Sequence, residues 1–129
     1  MYKFFFVLSI FSIFLLVSGC SNGQTSSVES LSAADFGQKM QGENNVILDV
    51  RTPGEVKEGY IEGATLFLDY NAPDFAEKVV GLDKRKTYYV YCKSGGRSGN
   101  TCKMMAEKGF KVYNLAGGIT GWSGNTKKD

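Results

Sequence analysis

The residues Cys92-Lys93-Ser94-Gly95-Gly96-Arg97-Ser98 bring a thiol, two cations and two adjacent glycines into one short stretch. A thiol becomes a strong nucleophile when it ionises, and a helix N-terminus with Lys or Arg nearby lowers a cysteine pKa from about 8.5 into the range of about 3.5 to 7.5. Gly95 and Gly96 permit left-handed or otherwise strained backbone, so that successive N–H groups can converge on one anion. Cys92 is therefore the candidate nucleophile. Ser94, Gly95, Gly96 and Ser98 are candidate N–H donors, and Ser98 is also an expected N-cap. The chain contains no histidine, which excludes Cys–His catalysis and leaves electrostatic activation of the thiol. Arg97 has two open readings: a planar fork that clamps an anionic donor, or a partner of an acidic side chain that braces the loop. Lys93, a mobile point charge, suits steering of an anion, against the plain alternative of an ordinary surface lysine.

Such a loop needs a strand to deliver it and a helix to follow it. Residues 87–91, Thr-Tyr-Tyr-Val-Tyr, are β-branched and aromatic and read as the strand. Residues 98–108 read as the helix, ended by Gly109. Strand, tight loop and helix place the loop at the carboxyl edge of a parallel sheet, against a helix N-terminus. Cys102 falls on the same helix face as Thr101 and Met105, the expected core side. It reads first as an inert buried thiol. The rival role is a resolving cysteine, since four helical residues rise only about 6 Å.

The rest of the chain alternates in the same way. Ser32 is the expected N-cap of a helix that carries Phe36 and Met40 on one face and ends at residues 42–45. Residues 46–50 read as a strand buried on both faces, with Asp49 and Arg51 as structural support at its end. Arg51 is expected to pair with Glu55 or Glu58. Thr52-Pro53 opens a short helix. A strand is expected within 64–68, an amphipathic helix over 73–82, a last strand over 110–115 and a closing turn over 117–122. This alternation predicts an α/β domain with a parallel sheet covered on both faces.

At this point the sequence resembles the rhodanese family of single-domain sulfurtransferases. Cys92 to Ser98 is similar to that family's Cys-x-x-Gly-x-Arg-Ser loop. The stretch Leu48-Asp49-Val50-Arg51-Thr52-Pro53-Gly54-Glu55-Val56 resembles its upstream Asp-x-Arg segment. Gly59-Tyr60-Ile61-Glu62-Gly63-Ala64 resembles its Gly-His-Ile-x-Gly-Ala, with Tyr60 where histidine is usual, and Gly117-Gly118-Ile119-Thr120-Gly121-Trp122 its Gly-Gly-x-x-x-Trp closure. The resemblance implies a central five-stranded, mainly parallel sheet with helices on both faces. It implies a Cys92 persulfide that carries a sulfane sulfur from a thiosulfate-like or persulfide donor to a thiol or cyanide. It names Lys93, Ser94, Gly95, Gly96, Arg97 and Ser98 as the substrate-binding loop, with no metal or organic cofactor. A non-turnover sulfur carrier, a thiol-redox element or a persulfide-dependent binding module would use the same loop. Phosphatases and arsenate reductases with a related Cys-to-Arg loop have one residue more than the four of this chain, Lys93 to Gly96. A smaller ring suits one sulfur atom better than a tetrahedral oxyanion.

The 129-residue chain is long enough for one domain. Lys3 precedes an apolar run over 4–17 broken only by serines, short for a membrane span and shaped like a signal-peptide core. It ends Leu16-Val17-Ser18-Gly19-Cys20, which resembles a bacterial lipobox. The expectation is a leader over 1–19, a lipid-bearing Cys20 with a polar tether over 20–29, and the rhodanese-like domain over 30–129. Two or three acyl chains would hold the protein on the outer face of a bacterial envelope membrane. The net charge of +2 and the absence of a basic stretch interleaved with aromatics argue against nucleic acid as a partner, and a monomer is expected.

Overall fold

The computed structural model describes residues 27–129. The expected leader and Cys20 lie outside the described residues. The elements run β1 (Glu29–Leu31), α1 (Ala33–Lys39), β2 (Asn45–Asp49), α2 (Pro53–Lys57), β3 (Tyr60–Ile61), β4 (Leu66–Phe67), α3 (Phe75–Val80), β5 (Thr87–Tyr91), α4 (Gly96–Glu107), β6 (Lys111–Leu115), a 3-10 turn (Ile119–Gly121) and β7 (Thr126–Lys127).

Five strands form one sheet in the order β1-β6-β5-β2-β4, and every pairing in it is parallel. The central strand is β5, whose side chains alternate between two cores. Tyr88, Val90 and Cys92 join Phe75, Val79, Cys102 and Met105 from α3 and α4 on one face. Tyr89 and Tyr91 join Phe36 and Met40 from α1, with Leu115, on the other. A strand covered on both sides must be apolar throughout, which is why the run before Cys92 shows no polar alternation. The α/β class, the five-stranded parallel sheet and the helices on both faces are as the sequence predicts.

Local signals explain most boundaries. The Ser32 hydroxyl accepts from the Asp35 N–H at 3.2 Å and starts α1. Thr52 and Glu55 form a reciprocal capping box at α2, with Pro53 at its first turn. Three features differ from expectation. The last helix starts at Gly96 with Gly95, at φ 104°, in the N-cap position, so Ser98 is not the cap but lies within the first turn. Glu29 opens the edge strand β1 and Val28 packs on the core, so the tether expected over 20–29 overlaps the folded domain at its end. The antiparallel pair of β3 and β7 was not expected. It draws the basic tail onto the domain, where the Tyr60 hydroxyl donates to Asp129 Oδ1 at 2.8 Å.

Candidate functional site

Cys92 leaves the carboxyl end of β5 and faces the N-terminus of the twelve-residue α4. Its Sγ accepts from the Gly95 N–H at 3.1 Å and from the Ser98 hydroxyl at 3.3 Å. Burial of the thiol opposes its ionisation. The Ser98 hydroxyl and the N–H groups of Ser98, Gly95 and Ser94 outweigh that burial and hold Cys92 below the ordinary thiol range. The helix N-terminus adds positive potential of the same sense.

Three loop carbonyls are held outward, away from Sγ. The Cys92 carbonyl accepts from the Ile119 N–H at 2.9 Å. The Lys93 carbonyl accepts from the Thr120 N–H at 3.1 Å and the Thr120 hydroxyl at 2.9 Å. The Gly95 carbonyl accepts from the Gly99 N–H at 2.9 Å and from Asn114 Nδ2 at 3.4 Å. The Lys93 carbonyl shares its peptide with the Ser94 N–H, so tying that carbonyl outward turns the Ser94 N–H toward Sγ, while the bonds to the Cys92 and Gly95 carbonyls fix the two ends of the loop.

The expected site residues separate into groups. Ser94, Gly95 and Ser98 supply N–H groups to Sγ, and Ser98 adds its buried hydroxyl. Gly96 starts the helix and is exposed. Lys93 is exposed and enters no ion pair among the described residues. Arg97 turns to Glu55: Nη1 donates to Oε2 and Nη2 to Oε1, each at 2.8 Å. The Arg97 fork, with the Thr52 N–H and hydroxyl behind it, holds the Glu55 carboxyl down to about 2. This geometry belongs to the bracing alternative for Arg97.

Arg51 departs from expectation. Its side chain pairs with Asp49, with Nη2 to Oδ2 at 2.7 Å, and not with the carboxylate of Glu55 or Glu58. Nη2 also donates to the Gly59 carbonyl at 2.7 Å, and the guanidinium lies 5.5 Å from the centre of the Tyr91 ring. Residues two apart on an extended segment share a face, so Asp49 is within reach before α2 begins. This buried pair supports the ends of β2 and β5 beside the loop.

Cys102 is fully buried among apolar neighbours. Burial, and then the charge of Cys92, push its thiol up to about 12. That environment suits packing and disfavours attack by a thiolate. Cys92 and Cys102 are both free thiols.

Sequence reasoning missed the partners that shape the loop: Glu55 behind Arg97, Asn114 behind Gly95, and Ile119 and Thr120 over Cys92 and Lys93. Gly117 and Gly118 were visible as a motif, but nothing in their own stretch pointed to a contact with Lys93.

Residues 32–125 match the family described as Rhodanese-like domain. The candidate sulfurtransferase YtwF of Bacillus subtilis (strain 168) is 39% identical over 101 residues, 78% of this chain and 95% of that protein. A sulfurtransferase of Allochromatium vinosum is 30% identical over 98 residues, 74% of this chain and 89% of that protein. The crystal structure of a rhodanese-related protein from Thermoplasma volcanium superposes with a TM-score of 0.69 at 26% identity, covering 78% of this chain and 99% of that one.

Proposed function

The chain belongs to the rhodanese-like domain family, and from that premise we propose that it transfers sulfane sulfur through a persulfide on Cys92. The observation that carries this reading is the convergence of the Gly95 N–H and the Ser98 hydroxyl on Cys92 Sγ. Donors aimed at one sulfur stabilise the thiolate before reaction and a terminal persulfide anion after it.

In the first half-reaction the Cys92 thiolate attacks the sulfane sulfur of a thiosulfate-like anion or a persulfide. A new S–S bond forms at Sγ. The donor's own S–S bond breaks, and its electron pair leaves with sulfite or with a thiolate. In the second half-reaction a thiol or cyanide attacks the terminal sulfur, and the Cys92 thiolate departs. No step needs a metal or an organic cofactor. A thiol-redox role would require Cys102, and its burial counts against that.

The site of action we propose is the extracytoplasmic face of a bacterial membrane, through lipid on Cys20. The apolar run over 4–17 and the Leu16-Val17-Ser18-Gly19-Cys20 ending support it. Cys20→Ser should move the protein from the membrane to the soluble fraction; retention on membranes would refute the anchor.

The decisive experiment incubates reduced protein with thiosulfate or cysteine persulfide, then takes an intact mass and a peptide map without reductant. One added sulfur atom on Cys92, removed by cyanide and absent in Cys92→Ser, is expected. A loss of two hydrogens with Cys92 and Cys102 in one linked peptide would replace sulfur transfer with thiol redox.

A further inference from the structure

We propose that Glu55 sets the charge of the sulfur donor: by occupying the Arg97 fork it selects monoanionic or neutral donors over dianionic ones. This rests on the sulfurtransferase reading of Cys92.

A sulfonate-type donor would dock best on a free guanidinium through two parallel hydrogen bonds. At Arg97 the end-on edge, Nη1 and Nη2, is filled by Glu55 Oε2 and Oε1, each at 2.8 Å, and the carboxylate cancels the charge that a donor on the remaining edge would meet. Glu55 is not free to swing aside. Its Oε2 also accepts from the Thr52 N–H at 2.9 Å and the Thr52 hydroxyl at 3.0 Å, which are the bonds that start α2. Moving the carboxylate would break the cap and the ion pair together.

The neighbouring cations do not replace Arg97. Arg51 is buried and bonded to Asp49 and the Gly59 carbonyl. Lys93 is the loop cation without an ion pair among the described residues. Fixed charge at Arg97 therefore cancels against Glu55, although Arg97 is near enough for the charge on Cys92 to act on it. One flexible ammonium balances one negative charge, and a dianion that approaches a thiolate brings one more.

Thiosulfate and methanethiosulfonate test this directly, because they have similar shape and differ by one charge. With either donor the Cys92 thiolate bonds the sulfane sulfur, and the electron pair of the broken S–S bond leaves with sulfite or methanesulfinate. The measured quantity is kcat/KM for loading Cys92, expressed as the ratio of thiosulfate to methanethiosulfonate at low ionic strength, where screening is weak. Intrinsic donor reactivity and general damage to the loop cancel when this ratio is compared between variants.

Glu55→Gln should raise the ratio about tenfold, equivalent to about 1.4 kcal/mol. The double variant Glu55→Gln/Arg97→Gln removes both charges and should return the ratio to within about threefold of the parent, as coupled neighbours do. An unchanged or lower ratio in Glu55→Gln would overturn the proposal. So would a double variant whose ratio falls well below the parent, because Arg97 would then be a donor clamp despite Glu55. If Glu55→Gln alone does not fold, a ratio in the double variant well below the parent still overturns the proposal. Failure of both donors and of cysteine persulfide to place sulfur on Cys92 would instead overturn the sulfurtransferase reading underneath.

Discussion

Gly118 packs directly on the peptide that joins Lys93 to Ser94. A β-carbon built on Gly118 would overlap the Lys93 carbonyl group and fall 2.6 Å from the Ser94 nitrogen. Its backbone, at φ 59° and ψ −162°, lies in a region open essentially to glycine alone. The neighbouring Ile119 and Thr120 hold the carbonyls of Cys92 and Lys93. A substitution at Gly118 therefore acts on the cradle through its clamp. Gly118→Ala should cost about 1 to 3 kcal/mol in stability from strain. It should also raise the pH midpoint of Cys92 alkylation. Thermal unfolding and iodoacetamide kinetics across pH measure the two effects. An unchanged midpoint would mean that the clamp does not shape the thiol.

The Ser98 hydroxyl donates to Cys92 Sγ at 3.3 Å and is fully buried. A hydrogen bond to a charged group contributes about 1.5 to 3 kcal/mol. Ser98→Ala keeps the Ser98 N–H but removes that donor. The alkylation midpoint of Cys92 should rise, and the rate at neutral pH should fall about tenfold or more. Because the loss is one of ionisation, the two rates should converge as the pH climbs above both midpoints. A constant deficit at every pH would point to lost packing instead.

How far the sequence foretold this depends on how local each feature is. The Cys92 loop is contiguous, so the thiol and the Gly95 and Ser98 groups that bond its sulfur could be named from adjacent residues as candidates. Strand β5 shows itself because it is buried on both faces. Helix α4 starts at Gly96, two residues before the expected Ser98. Gly95 and Gly96 are poor helix formers by propensity, yet bonds from Asn114 to Gly95 and from Ser98 to Sγ hold them in place. Glu55 and Arg97 are 42 residues apart, and no periodicity links them. Arg51 pairs with Asp49 and not with the expected Glu55 or Glu58, because extended spacing puts Asp49 and Arg51 on one face before the Thr52 cap. Strand β1 is three residues long and paired on one side, too short to show a pattern.

Cys102 lies in the same core as Cys92, but its thiol is pushed up to about 12 by burial. Native protein at mildly alkaline pH should therefore lose Cys92 to alkylation and leave Cys102 intact, as peptide mapping would read. Cys102→Ala should retain sulfur loading on Cys92 while losing about 1 kcal/mol or more for the small cavity. If sulfur loading disappears in a folded Cys102→Ala, the second thiol takes part in the chemistry.

The pairing of Glu55 with Arg97 also makes a statement about acid stability. Unfolded, the Glu55 carboxyl takes up its proton near 4.5; folded, it does so only at about 2. Between these values the unfolded chain binds more protons, so stability rises with pH. The contribution of Glu55 is complete above about pH 4.5 and fades as the pH falls toward about 2. Glu55→Gln cannot titrate. Its urea midpoint should lie below the parent's at neutral pH, and the gap should narrow steadily below about pH 4.5. Parallel profiles down to about pH 3 would show that the two hydrogen bonds at 2.8 Å stabilise the fold no more than a neutral amide does.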